Sequence, residues 1–173
     1  MVSWLFAVAA FYFILLPAVC VGALALLTYH AATKIRPAAG RLLPIATGLL
    51  LSVLAPVAGP FSLLVDGGVM AMGVLTPFIF VERYVPARHR YEILFLGSVL
   101  AVPGRMIYGI ATIANGGAGS PLFQMLTSLS SSDAGFLILN SVALYLETAL
   151  ISALVFGVLL AATAAFRKLR KKE

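Results

Sequence analysis

The sequence predicts an all-α fold, a polytopic membrane helix bundle of five transmembrane helices. Three observations lead there. First, 62% of the 173 residues are hydrophobic and 10% are charged, against roughly 25% charged in ordinary globular domains. Mean hydropathy is +1.07. A water-soluble fold so poor in charge would have no surface to offer solvent, so lipid must cover most of it. Second, five apolar segments meet or approach the length of about 20 residues that crosses a hydrocarbon core of roughly 30 Å. Third, the basic residues gather in short clusters at the ends of those segments.

The first segment, Trp4 to Thr28, is broken by Pro17. It has no leading Lys or Arg and its apolar run is too long for a cleaved signal peptide, so it is expected to be a retained span. The second, Leu42 to Ala58, is short and ends in the Pro56 to Pro60 turn. The third, Phe61 to Val81, is opened by Pro60, a residue suited to a first helical turn. The fourth, Ile93 to Ile113, carries Pro103 and Gly104. The fifth, Ala134 to Phe166, would be about 50 Å long and must tilt or project beyond the bilayer. A sixth span arises if the stretch before Pro17 folds back as a separate half-helix. Between the fourth and fifth segments, 114–133 holds Gly116, Gly117, Gly119 and three consecutive serines, too polar to span. Within it, Ser120-Pro121 reads as an N-cap with proline in the first turn, so Leu122 to Leu129 is expected as a short interfacial helix.

The net charge is +6. Eleven of the twelve Lys and Arg residues form three clusters: Lys34, Arg36, Arg41; Arg83, Arg88, Arg90; and Arg167, Lys168, Arg170, Lys171, Lys172. This pattern marks cytoplasmic loops and argues against nucleic acid as a partner. Placing the clusters inside puts the N-terminus outside, the C-terminus in the cytoplasm and the Gly/Ser loop outside, as expected of a multi-pass cell-membrane protein. The tail FRKLRKKE reads as a stop-transfer anchor touching anionic lipid.

Three ionisable residues interrupt the apolar spans: Asp66, Arg105 and Glu147. A charge at membrane depth costs about 2.5–3.5 kcal/mol on insertion scales, and it persists where it pairs, faces the interior or lines a cavity. Asp66 lies six residues past Pro60, Arg105 eight before Ile113, and Glu147 some seven to thirteen residues into the last helix. All three therefore fall in the outer half of the bilayer and can meet. Tyr108 and Asn140 stand three and seven residues from Arg105 and Glu147, on the same helix faces. Ser62 and Tyr145 lie near the same group. Asp66, Arg105, Tyr108, Asn140 and Glu147 are thus the candidate ligand-binding residues of an outward-facing polar pocket. The plainer alternative is a buried ion-pair network that fixes helix packing. Two carboxylates against one guanidinium leave an excess negative charge that packing does not need, which favours a ligand or ion site.

Small residues mark where membrane helices touch. Ala18 and Gly22 on the first helix are the candidate contact with another subunit. Gly67, Gly68, Ala71 and Gly73 crowd the third helix, and Ala153, Gly157 and Ala161 form a stripe on the last. His30 and His89 sit at the basic ends of spans and are poor candidates for metal or haem ligation. Lone Cys20 has no paired base. No Walker-type loop, dinucleotide glycine motif or HExxH is present, so neither a cofactor nor catalysis is expected of this chain, and any ATPase must be a separate protein.

From Phe95 onward the chain resembles the substrate-binding S component of energy-coupling-factor vitamin transporters. The likeness rests on Pro103-Gly104-Arg105 followed by Gly109, the Gly-rich outer loop, and Gly135-Phe-Leu-Ile-Leu-Asn140 opening a long last helix with a basic tail. It covers less than half the chain. The resemblance implies a cavity open to the outside, lined by the five polar residues named above, for a vitamin-like or ionic small molecule. It also implies two kinds of partner, a transmembrane coupling subunit and cytoplasmic ATPases, with first-helix small residues such as Ala18 and Gly22 at the coupling subunit. That family has six spans with both ends inside, one more than is counted here. The chain is also similar in size and shape to rod-shape proteins of the MreD type. They stand for a different class, the accessory structural subunit of a larger respiratory or cell-envelope complex without a ligand.

Overall fold

Six α-helices make up the computed structural model, which describes residues 4, 8, 9, 11–35, 37–114 and 120–170. We number them α1 (Leu16–Ala32), α2 (Pro37–Leu54), α3 (Ser62–Val81), α4 (Arg90–Ala114), α5 (Pro121–Thr127) and α6 (Asp133–Arg170). No strand occurs among the described residues. Five helical stretches are long and apolar enough to cross a membrane: Tyr12–Ala32, Gly40–Val57, Gly59–Tyr84, Ala87–Ala114 and Asp133–Ala165. The all-α, five-span membrane bundle read from the sequence is the architecture observed. The Gly-rich run 115–119, Arg36 and the tail residues 171–173 lie outside the described residues, as does part of the first apolar stretch.

Pro17 does not fold the first span back on itself. Proline has no N–H for the carbonyl one turn earlier, and the chain meets this by widening Phe11–Leu15 to a π-helical turn that runs straight into α1. From Phe11 to Ala32 the chain is therefore one continuous helix through Pro17, with no fold-back at that residue; most of the stretch before Phe11, on which a sixth span would depend, lies outside the described residues. Pro44, Pro77 and Pro103 likewise sit inside α2, α3 and α4 without ending them, as neighbouring helices allow in membrane proteins.

Helix α3 is the hub. It packs most extensively on α6, then on α2, and also meets α1 and α4. Over an apolar stretch of 18 residues, 44% of its span is buried, against 17–28% in the other four. The outer helices leave much of their surface open: Leu27, Leu154 and Val158 are each more than two-thirds exposed. Between helices the core is made of Val69, Val74, Leu75, Phe78, Leu94, Val102 and Phe156, all nearly inaccessible. Phe78 and Phe156 meet with ring centroids 5.2 Å apart, tying α3 to α6.

With no hydrophobic drive between helices in lipid, close backbone approach and internal hydrogen bonds hold the bundle together. A Cβ on Gly73 would stand 2.9 Å from both Thr148 Cβ and the Tyr145 carbonyl oxygen, so α3 and α6 cross there with no room for a methyl group. Hydroxyls buried between helices donate to the carbonyl one turn back: Ser52 to Gly48, Thr76 to Met72, Ser98 to Leu94 and Thr148 to Leu144, at 2.7–3.0 Å. They add no unsatisfied polar atom to the apolar interior.

The expectation that Ala18 and Gly22 contact another subunit is corrected by this packing. Ala18 is fully buried, and a Cβ on Gly22 would lie 3.1 Å from the Phe95 ring and 3.4 Å from Ser98. With Val21, Ala25 and Tyr29 they form the inward stripe of α1 that docks on α4, so the face is already covered by its own chain. On α6 the reverse holds: Ala153, Gly157 and Ala161 face outward, with nothing within 4 Å of a Cβ on Gly157.

Helix α6 outruns the others. Among the residues whose burial is described, Phe156 is the last buried one in α6, and it lies beside Phe78, three residues from the end of α3. The last ten residues, Ala161 to Arg170, therefore extend roughly 15 Å beyond that end of the bundle.

Substituting Gly73→Ala should destabilise the bundle by about 1–3 kcal/mol through overpacking at the α3–α6 crossing. Gly157→Ala, at an open position, should change stability by less than about 0.5 kcal/mol. Thermal unfolding in detergent checks both.

Candidate functional site

The polar residues at the end of the bundle away from the basic clusters form two neighbouring groups. In the first, Arg105 on α4 reaches across to Glu147 on α6, with Nη2 3.2 Å from Oε2. The Glu147 side chain is 7% exposed and that of Arg105 27%. The other carboxylate oxygen of Glu147, Oε1, accepts a hydrogen bond from the Ser120 hydroxyl. Ser120 is itself 5% exposed. Both oxygens of the acid are thus engaged, one by a cation and one by a neutral donor. Arg105 Nε is buried and has no hydrogen-bond partner among the described residues.

Ser120 does two jobs. It is the N-cap of α5, its Oγ accepting from the Phe123 N–H at 3.0 Å while Pro121 fills the first helical position. Helix α5 lies against α6, and the Phe123 and Phe136 rings meet edge to face at 6.0 Å. Phe136 is near the start of α6 whereas Glu147 is fourteen residues in, so α5 runs antiparallel to α6 with its first residue the deeper end. The expected short helix is present, and its capping serine reaches the level of Glu147. The Ser-Pro signal located the cap, but no local signal in the sequence gives its depth.

The second group surrounds a cavity of about 70 Å³ near the end of the bundle opposite the basic clusters. Asp66 and Ser62 of α3 face Asn140 and Ser141 of α6 across it, with Ala55 and Leu137 completing the wall. Asp66 makes no hydrogen bond or ion pair among the described residues, yet it lies close enough to Arg105 to feel its charge. At roughly 30 Å³ per water, the space suits about two waters or one hydrated ion. Ser141, 2% exposed, belongs to this group and was not singled out in the sequence.

Of the five candidate residues, then, Arg105 and Glu147 are paired, and Asp66 and Asn140 share the adjoining cavity. Tyr108 is not brought in. It is 42% exposed, turned toward the surface of α4, where its carbonyl accepts from Thr112. Three residues along a helix leave a net offset of about 60°, and with Arg105 turned to α6 that offset is enough to put Tyr108 at the exposed edge of the face. Tyr145 also points elsewhere, its hydroxyl bonding Thr76 on α3 at 2.8 Å. Both histidines have local partners: His30 Nδ1 lies 3.2 Å from the Tyr91 hydroxyl and His89 Nδ1 2.7 Å from Glu92. No group of three potential metal ligands occurs among the described residues.

Removing one member of the pair leaves the other charge buried and alone. Glu147→Ala should therefore destabilise the protein by about 3–5 kcal/mol. In the double variant Arg105→Ala/Glu147→Ala the loss should be smaller than the sum of the single losses by about 0.5–3 kcal/mol. Strict additivity in chemical or thermal unfolding would show that the two do not act on each other.

No family model, no curated protein and no solved structure matches this chain.

Proposed function

We propose that this chain is a small solute-binding membrane subunit of a transporter, without catalytic activity of its own. It takes a vitamin-like or ionic small molecule from the outer side. The observation that carries the reading is the Asp66 carboxylate. It faces a polar cavity at membrane depth, without an ion-pair partner, beside a guanidinium already committed to Glu147. A structural ion pair has no use for a second acid, whereas a site for a cation or a hydrogen-bonding solute does. The buried and unpartnered Arg105 Nε adds a free donor nearby. A volume of about 70 Å³ fits an ionic solute directly. A vitamin-sized molecule needs several hundred Å³, and withdrawal of α5 from Glu147 is the simplest way to open such a space.

By the positive-inside rule the basic end of the bundle is cytoplasmic and the α5 end is outside, in the cell membrane. The resemblance to S components supports a transmembrane coupling subunit and cytoplasmic ATPases as partners. Their contact face is not the Ala18–Gly22 stripe, which α4 covers.

The second reading is the accessory structural subunit of a larger membrane complex, akin in size and shape to MreD-type proteins. It is favoured by the closed state of the Arg105–Glu147–Ser120 cluster, in which each oxygen of the acid already has a partner.

Thermal unfolding of the purified chain with a panel of monovalent and divalent ions and vitamins separates the two. A ligand at a hundredfold over its dissociation constant should add about 2.7 kcal/mol. Glu147→Gln, which keeps the shape and the Ser120 contact, and Asp66→Asn should both reduce that shift. No shift with any compound, together with co-purification in a stoichiometric complex, would favour the structural subunit. Full binding by both variants would remove these residues from the site.

A further inference from the structure

At the basic end, four helix termini enclose a second cavity, about 260 Å³ in volume. Tyr29 and Thr33 come from the end of α1 and the turn after it, Arg41 from the first turns of α2, Glu82 from just past α3 and Arg90 from the start of α4. Ala32 and Ile79, each 6% exposed, form its apolar side. Arg105 lies fifteen residues beyond Arg90 on α4, roughly 22 Å away along the helix, so this is a separate site.

Its charge is unbalanced. Glu82 accepts a hydrogen bond from the Tyr29 hydroxyl at 2.8 Å. Neither Arg41 nor Arg90 has a carboxylate oxygen within 4.0 Å among the described residues. Arg90 is nonetheless held in place, its Nε donating to the Val85 carbonyl at 3.4 Å. Two guanidiniums facing one cavity without an acid partner, one of them already oriented, make a fork for a tetrahedral oxyanion, which arginine grips with paired N–H bonds. The volume is below that of pockets for drug-sized ligands, roughly 300–1,000 Å³, and suits a single phosphate with the few atoms bonded to it. The cavity sits where the spans end, with Ala32 and Ile79 on its apolar side and Lys34, Arg83 and Arg88 in the adjoining turns. Basic pockets between membrane helices at that level take anionic lipid head groups.

We infer that the Arg41–Arg90 cavity binds a phosphate group, that of an anionic phospholipid packed between α1, α2 and α4. Native mass spectrometry of the full chain in detergent doped with equal phosphatidylglycerol and phosphatidylcholine tests it. The wild type should retain phosphatidylglycerol in preference. Arg41→Gln or Arg90→Gln should each weaken retention about fivefold, the equivalent of about 1 kcal/mol per basic residue. Arg167→Gln/Lys168→Gln, in the tail, removes only general attraction to anionic lipid and should weaken retention less than either cavity variant. Arg41 is exposed, so its variant folds whatever becomes of Arg90. A competition arm with glycerol 3-phosphate identifies the source. Displacement of the lipid would support the same phosphate site with a soluble ligand as its natural occupant, and no displacement would support the lipid. The inference is overturned if phosphatidylglycerol is not preferred, if both arginine variants retain it as the wild type does, or if only the tail variant loses it.

Discussion

The hydrocarbon core of a bilayer holds no water to solvate a charge or a loose backbone group, and that condition governs this molecule throughout. It explains why buried hydroxyls turn back on their own helices, and why Glu147 is gripped on both oxygens at once. It also explains why Arg105, the one basic residue outside the terminal clusters, stands opposite an acid. In water such a pair would be worth little. At membrane depth each partner keeps the other from being stranded, and the α4–α6 contact is fixed by that need.

Around this constraint the helices are arranged by size. Helix α3 is narrow where it crosses α6 at Gly73, which lets it serve four neighbours at close range. The broad side chains then fill the space on either side of the crossing, with Phe78 against Phe156 toward the basic end and Tyr145 bonded to Thr76 beside it. Helix α5 is the exception to this economy of shape. It is too short to span, and it lies against α6 through its capping serine and the Phe123–Phe136 contact.

Much of this was legible in the sequence. Hydropathy and the basic clusters gave five spans, because burying a backbone in lipid demands long unbroken apolar runs. The three intramembrane charges could be placed at one depth by counting from the turns, and two of them do meet. What failed was rotation about the helix axis. Tyr108 was grouped with Arg105 by spacing alone, but the face a residue occupies depends on which neighbour the helix adopts. The same gap misassigned Ala18 and Gly22. A small-residue stripe says that something packs closely there, and here the something is α4. The depth of Ser120 was hidden for another reason: a cap signal describes local backbone geometry and carries no information on where the capped helix sits.

Helix α6 runs from Asp133 to Arg170 without a proline and with its internal ladder intact. Its two ends therefore cannot move independently. Any rotation or slide that parts Glu147 from Arg105 must also drag Phe156 across Phe78 and swing the overhanging basic end, much as turning a key moves both bow and bit. An event at Glu147 would thus be reported mechanically at the basic end of the bundle, with no chain of intermediates needed to relay it.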